Sequence, residues 1–368
     1  MPDQAPTCQP LANKPPAWWQ ERLRDQLGLR AGQAKGVVRA LFAGLRDDVS
    51  WPETLAALPG HSREWVAGQI TDATIADAGL TLVDDIPSDD ASRRLLLRTL
   101  DGLLIESVII PSARGRASGR TTLCVSSQVG CGRGCRFCET GRLGLSRQLS
   151  AAEICAQWSI ATRLWSGARG ASPALSHVVF MGMGEPMDNL DAVLDGIAVI
   201  CDDLAFGLAA RRVTVSSVGV GPAIRRFLRE SKAHLAVSLN APDDRRRSAI
   251  MPVNHRCSLA ELRAVIIEAL PPGRDVLIEY IVFAGINDSD ADAQLLADWL
   301  KGVPARLNLI PANPGPDPLL HGPTPERLIA FRAQMQDRGV RTLVRHPHGG
   351  DIGGACGQLA GSRLGSPR

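Results

Sequence analysis

Three cysteines lie within eight residues at Cys131, Cys135 and Cys138, the spacing C-x3-C-x2-C. Between them are two glycines, two arginines and Phe137, with no regular apolar period. Such a loop presents three thiolates to one object. A structural zinc site takes four protein ligands and closes itself. A 4Fe-4S cluster held by three cysteines keeps one iron open, and an open iron can bind a small molecule. Spacing alone leaves a second reading, a zinc loop that borrows a remote fourth ligand.

The chain around this loop is long enough to position it. It has 368 residues, 45% hydrophobic and 21% charged, with net charge +3. That is the composition of a globular protein with one large domain and a small one. Nine cysteines, an odd number with three crowded together, do not form a secreted disulfide framework. No charged-then-apolar leader opens the sequence, and no apolar run reaches about eighteen residues. A cytoplasmic protein without membrane contact is expected. Aromatics are only 4%, so any base-stacking surface is small.

Residues 1–15 carry four prolines and read as a loose lead. Residues 16–90 read as a small helical domain, with Leu23, Leu27, Val37, Val38, Leu41, Phe42 and Leu45 at helical spacing. Residues 91–120 form a linking hairpin about Gly102 and then a loop with Arg114, Arg116 and Arg120. From 121 to 362, short apolar runs near Leu123, His177, Arg212, His234, Val276, Arg306 and Arg341 alternate with helical ones. Ser150 and Glu153 make a capping box ahead of one helix. This alternation implies a parallel sheet. Six strand–helix units are too few for a closed eightfold barrel, so the fold class is α/β with a partial, open (β/α)6 barrel. Active groups are then expected at the C-terminal strand ends. The cysteine loop follows the first strand. The other ends offer Gly184 and Glu185, Ser216, Ser238 with Leu239 and Asn240, and Asn313. These are hydroxyls, amides and a carboxylate able to hold an amino acid and a ribose.

The three-cysteine loop resembles the signature of radical S-adenosylmethionine (SAM) enzymes. Leu123 to Cys131, Phe180 to Pro186, Ile250 to Asn254 and the terminal Ala355-Cys356-Gly357-Gln358-Leu359 resemble the RlmN/Cfr family of RNA adenosine methyltransferases, closer to the carbon-2 branch. The resemblance covers roughly residues 20–362 and implies a helix-hairpin-helix type of N-terminal domain, with 363–368 as a tail. It implies one 4Fe-4S cluster on Cys131, Cys135 and Cys138, and two SAM molecules per turnover. The first SAM methylates Cys356. The second is cleaved to a radical that takes a hydrogen from that methyl. The methylene carbon adds to adenine, Glu106 removes the ring proton, and Cys124 attacks the Cys356 sulfur to free the product, so a disulfide of these two cysteines is expected. The glycine-rich run before Cys356 is expected to be mobile.

The implied partners are RNA and a low-potential electron donor such as flavodoxin or ferredoxin. The RNA is 23S rRNA at the peptidyl-transferase centre and, in some members, tRNA next to the anticodon. A monomer is expected. Arg133, Arg136, Arg142, Arg147 and the run Arg245, Arg246, Arg247 are candidates for phosphate contact. The sequence departs from the family pattern at Asn240 (for His), Ala312 (for an aromatic), Gly353 and Gly354 (for Asp-Ala) and Glu139 (for a small residue). The alternatives are methylation at carbon 8, or an RNA-binding protein stabilised by a cluster or zinc.

Overall fold

The computed structural model describes residues 9–47, 51–70, 78–112, 119–169 and 174–359. The N-terminal part is helical: α1 (Pro16–Leu27), α2 (Ala31–Asp47), α3 (Trp51–Ala56) and α4 (Gly60–Gln69). Pro16 opens α1, where its missing N–H costs nothing, and Gly28 closes it at φ +64°. Trp19, Leu23, Val38, Leu41 and Phe42 are fully buried, which is the 3.6-residue stripe seen in the sequence. The lead is not loose throughout. Leu11 is fully buried, and its carbonyl accepts from Trp19 Nε1 at 3.0 Å. Cys8, Arg114 and Arg116 lie outside the described residues.

The helices end sooner than expected. Thr81–Pro87 is a strand, β1, followed by β2 (Arg93–Arg98) and β3 (Leu104–Pro111) in an antiparallel run. Its alternation is blurred by Asp84 and Asp85, which explains the misreading; Arg93 pairs with Asp85 across the strands. Then follow β4 (Thr121–Cys124), β5 (Gln128–Cys131), α5 (Glu139–Arg142), β6 (Gly144–Gln148), α6 (Ala151–Arg169), β7 (His177–Phe180) and α7 (Leu190–Cys201). The remainder is β8 (Val213–Ser217), α8 (Gly221–Glu230), β9 (His234–Ser238), α9 (Asp244–Ile250), α10 (Leu259–Ala269), β10 (Val276–Val282), α11 (Asp290–Leu300), β11 (Ala305–Pro311), α12 (Pro325–Asp337) and β12 (Thr342–Val344). The expected box ahead of α6 is present: Ser150 N–H donates to Glu153 at 2.8 Å and Glu153 N–H to Ser150 Oγ at 3.2 Å.

One sheet has the order β1-β2-β3-β4-β7-β8-β9-β10-β11-β12, parallel from β4 onward. Among the described residues β1 and β12 are its free edges, so this is an open, partial barrel. Strand residues alternate between lumen and helix layer. On β8, Val213, Val215 and Ser217 are buried while Thr214 and Ser216 are half-buried. The cysteine loop does not leave β4 directly. Residues 125–127 turn the chain into β5, which pairs with β6 as a separate hairpin carrying the loop.

Candidate active site

The cluster loop hangs between β5 and α5. Cys138 N–H donates to the Cys135 carbonyl at 3.1 Å and Gly141 N–H to the Cys138 carbonyl at 3.1 Å. Gly130 sits at φ +79°, and a Cβ there would lie 2.0 Å from the Gly144 carbonyl oxygen. Underneath is a second apolar cluster of Cys135, Ile250, Met251, Val253 and Phe283, against which Phe137 packs with its ring centre 5.7 Å from that of Phe283. Burial of that kind is worth about 1.5–3 kcal/mol per large side chain, which explains an aromatic in a loop that faces a cavity.

Cys131, Cys135 and Cys138 line one wall of a cavity of about 850 Å³, open mouth included. That is the size of a site for a small molecule. Among the described residues no three His, Cys, Asp or Glu side chains gather to hold a single metal ion. Burial pushes the Cys131 thiol up to about 12, and it raises Cys135 and Cys138 too. Three buried thiols need a cation to become thiolates, and the irons of a cluster supply it. The donor set therefore fits the group. Cys131, Cys135 and Cys138 would hold it, with no fourth ligand from the loop.

The opposite wall comes from the strand ends. Gly184, Glu185, Ser216 and Ser238 line the cavity. Gly182 and Gly184 are required there, because the end of β7 crosses the 125–128 segment. A Cβ on Gly182 would lie 2.7 Å from the Val125 carbonyl oxygen, and one on Gly184 (φ +103°) 2.6 Å from Gln128 Cβ. The crossing is stitched by Ser126 Oγ accepting from Met183 N–H at 2.9 Å and Gln128 Oε1 from Glu185 N–H at 2.8 Å. Glu185 accepts from Val218 N–H at 2.9 Å and Met187 N–H at 3.1 Å. Burial still pushes its carboxyl up to about 7 against those hydrogen bonds and one from Ser217.

The other strand-end candidates lie elsewhere. Leu239 is core. Asn240, at φ +59°, accepts from Ile281 N–H at 2.9 Å and points its amide nitrogen at Met251 Sδ, 3.4 Å away. Asn313 donates to the Cys356 carbonyl at 3.0 Å, so it holds the tail.

Cys356 lines the cluster cavity, and also an adjoining pocket with Cys124, Met181, Arg345 and His346. Cys124 and Cys356 are both free thiols; the disulfide expected of them is not formed in this structure. Burial pushes the Cys124 thiol up to about 12. The tail that carries Cys356 is tied at both ends. On one side Asp90, in the β1–β2 turn, accepts from Gly349 N–H at 3.1 Å and lies 3.0 Å from His348 Nδ1, while Asp351 accepts from Asp89 N–H at 3.1 Å. On the other, Glu139 N–H donates to the Gly357 carbonyl at 2.8 Å and Thr140 Oγ1 to the Leu359 carbonyl at 2.9 Å. Glu139 thus contributes a backbone group that any residue supplies. Gly354 N–H closes a turn on the Gly349 carbonyl at 2.7 Å. Glu106 is buried on β3 and ion-paired to Arg94 at 2.9 Å. Gly353 lies beside that guanidinium: a Cβ there would be 3.7 Å from Arg94 Nη1.

Most of the arginine candidates have a carboxylate partner within the protein. Arg133 pairs with Asp188, Arg136 with Asp317, Arg142 with Glu139, Arg147 with Asp101 and Glu153, and Arg246 with Asp243 and Asp292. Arg247 is fully buried and donates to the Leu239, Val218 and Ser238 carbonyls and to Asn254. It is a core tie between β8 and β9, and neither a solvated helix face nor a phosphate ligand. Reading β12 by the strand-end rule applied to its neighbours finds Arg345, which the sequence analysis left out.

Residues 125–296 match the family model of the radical SAM superfamily. A radical SAM methyltransferase from Sphaerobacter thermophilus shares this fold at a TM-score of 0.82 and 37% identity, covering 96% of this chain and 100% of that one. The chain is a radical SAM enzyme. A probable RNA methyltransferase of Sorangium cellulosum is 49% identical over 95% of this chain and 90% of its own length. The dual-specificity RNA methyltransferase RlmN of Syntrophobacter fumaroxidans is 43% identical over 76% of this chain and 80% of its own. Within the superfamily, the chain belongs to the RlmN/Cfr family of RNA methyltransferases.

Proposed function

We propose that this enzyme methylates an adenosine of RNA at carbon 2, with Cys356 as the methyl carrier, Cys124 as the residue that releases the product and Glu106 as proton acceptor. The observation that carries the reading is the double exposure of Cys356. It lines the cavity of Cys131, Cys135 and Cys138 and, on its other side, the pocket of Cys124. A sulfur so placed can take a methyl group from SAM in one cavity and meet a second sulfur in the next. When bound, the cluster supplies the electron that cleaves SAM and so generates the hydrogen acceptor for the carried methyl. The protein does the rest. Asn313 and Glu139 hold the Cys356 and Gly357 carbonyls, which keeps Cys356 between the two spaces. Glu185 is the candidate ligand for the SAM ammonium, and Ser216 and Ser238 for its hydroxyls. Glu106 is paired with Arg94, whose guanidinium lies beside Gly353 of the tail.

The adenine must leave its stack to reach Cys356, so the substrate is single-stranded or junction RNA. 23S rRNA is the first substrate of this reading and tRNA the second, with two SAM consumed per turnover and flavodoxin or ferredoxin as electron source. Among the described residues no helix is long and apolar enough to cross a membrane. Pro186, directly after Glu185, favours carbon 2 over carbon 8. The test is mass spectrometry of nucleosides from rRNA and tRNA incubated with enzyme, SAM and a low-potential reductant. The expected product is 2-methyladenosine. 8-Methyladenosine in its place overturns the position, and neither product in any RNA overturns the function.

A further inference from the structure

Cys124 has to act as a nucleophile, and its surroundings oppose that. It ends β4 at 6% exposure, and burial holds its proton on. A thiol attacks another sulfur as thiolate, so something nearby must favour the anion. Arg345 is the cation at hand. It directly follows β12, fixed by its N–H on the Leu309 carbonyl at 2.9 Å, and lines the pocket that also holds Cys124 and Cys356. Its Nη1 donates to Met181 Sδ at 3.4 Å and stands 3.7 Å from Glu279 Oε1. Met181 also lines that pocket beside Cys124, so one residue lies against both the guanidinium and the space of the two sulfurs. A guanidinium has five donors; among the described residues that of Arg345 makes one contact to a thioether and one loose ion pair.

We propose that Arg345 is the positioning residue that stabilises the Cys124 thiolate for product release. The proposal rests on the two-cysteine reading above. In that step the Cys124 thiolate attacks Cys356 Sγ. The S–S bond forms, the bond from Cys356 sulfur to the substrate carbon breaks, and the carbon leaves with the electron pair and takes up a proton. An external dithiol then returns the disulfide to two thiols. The groups facing Cys124 differ in sign: burial and the Cys356 thiol raise its pKa, while Arg345 and the Met181 backbone lower it, and Arg345 faces Cys356 as well. Glu279 faces Arg345 from β10, and Arg120 shares with both a second pocket that opens inside the sheet. His346 and His348 line the same pocket.

The test uses anaerobic, cluster-loaded, full-length enzyme. Methyl methanethiosulfonate labels thiols, and Cys124 labelling is followed by peptide mass spectrometry against pH. In Arg345→Gln the midpoint should rise by about one pH unit or more, the scale of one close charge. Arg345→Lys should restore it in part. The midpoint is the readout because a smaller side chain also opens the pocket and changes absolute rates. Arg345→Gln/Glu279→Gln leaves no orphan charge and should keep the shift even if the single variant folds poorly. An unchanged midpoint in the double variant overturns the proposal and leaves Arg345 a plain partner of Glu279. With RNA and SAM, Arg345→Gln should accumulate a protein–RNA crosslink at neutral pH that discharges as pH rises, whereas Cys124→Ala should hold its crosslink at every pH. A shifted midpoint without any crosslink in either variant supports the charge pairing and faults the RNA reaction itself.

Discussion

The two cysteine-bearing loops that meet in the candidate site are held in different ways. Residues 131–138 carry a local frame, with hydrogen bonds from Cys138 to Cys135 and from Gly141 to Cys138 and a hairpin partner, β6, a few residues on, and they are pinned to the barrel by Arg136 N–H on the Ile250 carbonyl at 3.0 Å and by the Arg133–Asp188 pair. The tail around Cys356 makes two internal turns, and its position comes from far away: the β1–β2 turn through Asp90 and Asp89, α5 through Glu139 and Thr140, and the end of β11 through Asn313. A loop that holds a cofactor can be stiff and local, since its ligands never move. A loop that delivers a sulfur to two spaces in turn has to be aimed by its neighbours, through bonds of about 1 kcal/mol each that can open singly. The tail is clasped rather than free, which corrects the expectation of a simply mobile segment.

This contrast can be broken by experiment. The largest effect is expected from Cys135→Ala, which should lose bound iron and all SAM-derived 5′-deoxyadenosine. Cys356→Ala should keep the iron and lose only methylation. Iron analysis of both separates them, and equal iron loss would mean the two loops form one metal site. Next is Gly184→Ala. With φ at +103° and Gln128 in the way, it should cost about 1–3 kcal/mol, read as a lower Tm; an unchanged Tm would remove the crossing of β7 over 125–128 as a structural requirement. Smaller again is Thr140→Ala, which deletes one tail tether. Methylation should fall severalfold while iron content and Tm stay near wild type.

The smallest effect is Asp90→Asn, and its pH dependence has a definite sign. Burial works against the Asp90 carboxylate, but hydrogen bonds from Ser92, Gly349 and Ser88 outweigh it and hold its pKa well below the usual carboxylate range. An unfolded Asp titrates near ~3.9, so below that pH the unfolded chain binds the extra proton first. The stabilisation is complete above about pH 5 and drains away as pH falls below ~4. The Tm difference between wild type and Asp90→Asn should therefore be flat at neutral pH and vanish in acid. A difference that grew in acid would contradict the clasp.

Much of this was legible from residue types. The capping box read at Ser150 and Glu153 is one the structure uses at the start of α6, and the alternation of strands and helices after residue 121 is the order the structure shows. What was misread has physical causes. Asp84 and Asp85 hid a strand because an edge strand can carry charge. Arg247 read as a candidate for phosphate contact because burying a guanidinium is rare unless carbonyls converge on it, and the three that do come from two other elements.

By itself, the sequence determined three thiols at cluster spacing and polar or glycine residues at the strand ends, which follow from residue type and short-range spacing; the roles of Cys124 and Cys356 came from the family resemblance. Only the tertiary structure decided that Cys356 stands between the cluster cavity and Cys124, that Asn313 serves the tail and Asn240 the barrel wall, and that Arg345 faces the sulfur pair. Those depend on register and crossing, where residues hundreds of positions apart share a cavity because the sheet curls with β1 and β12 as its free edges.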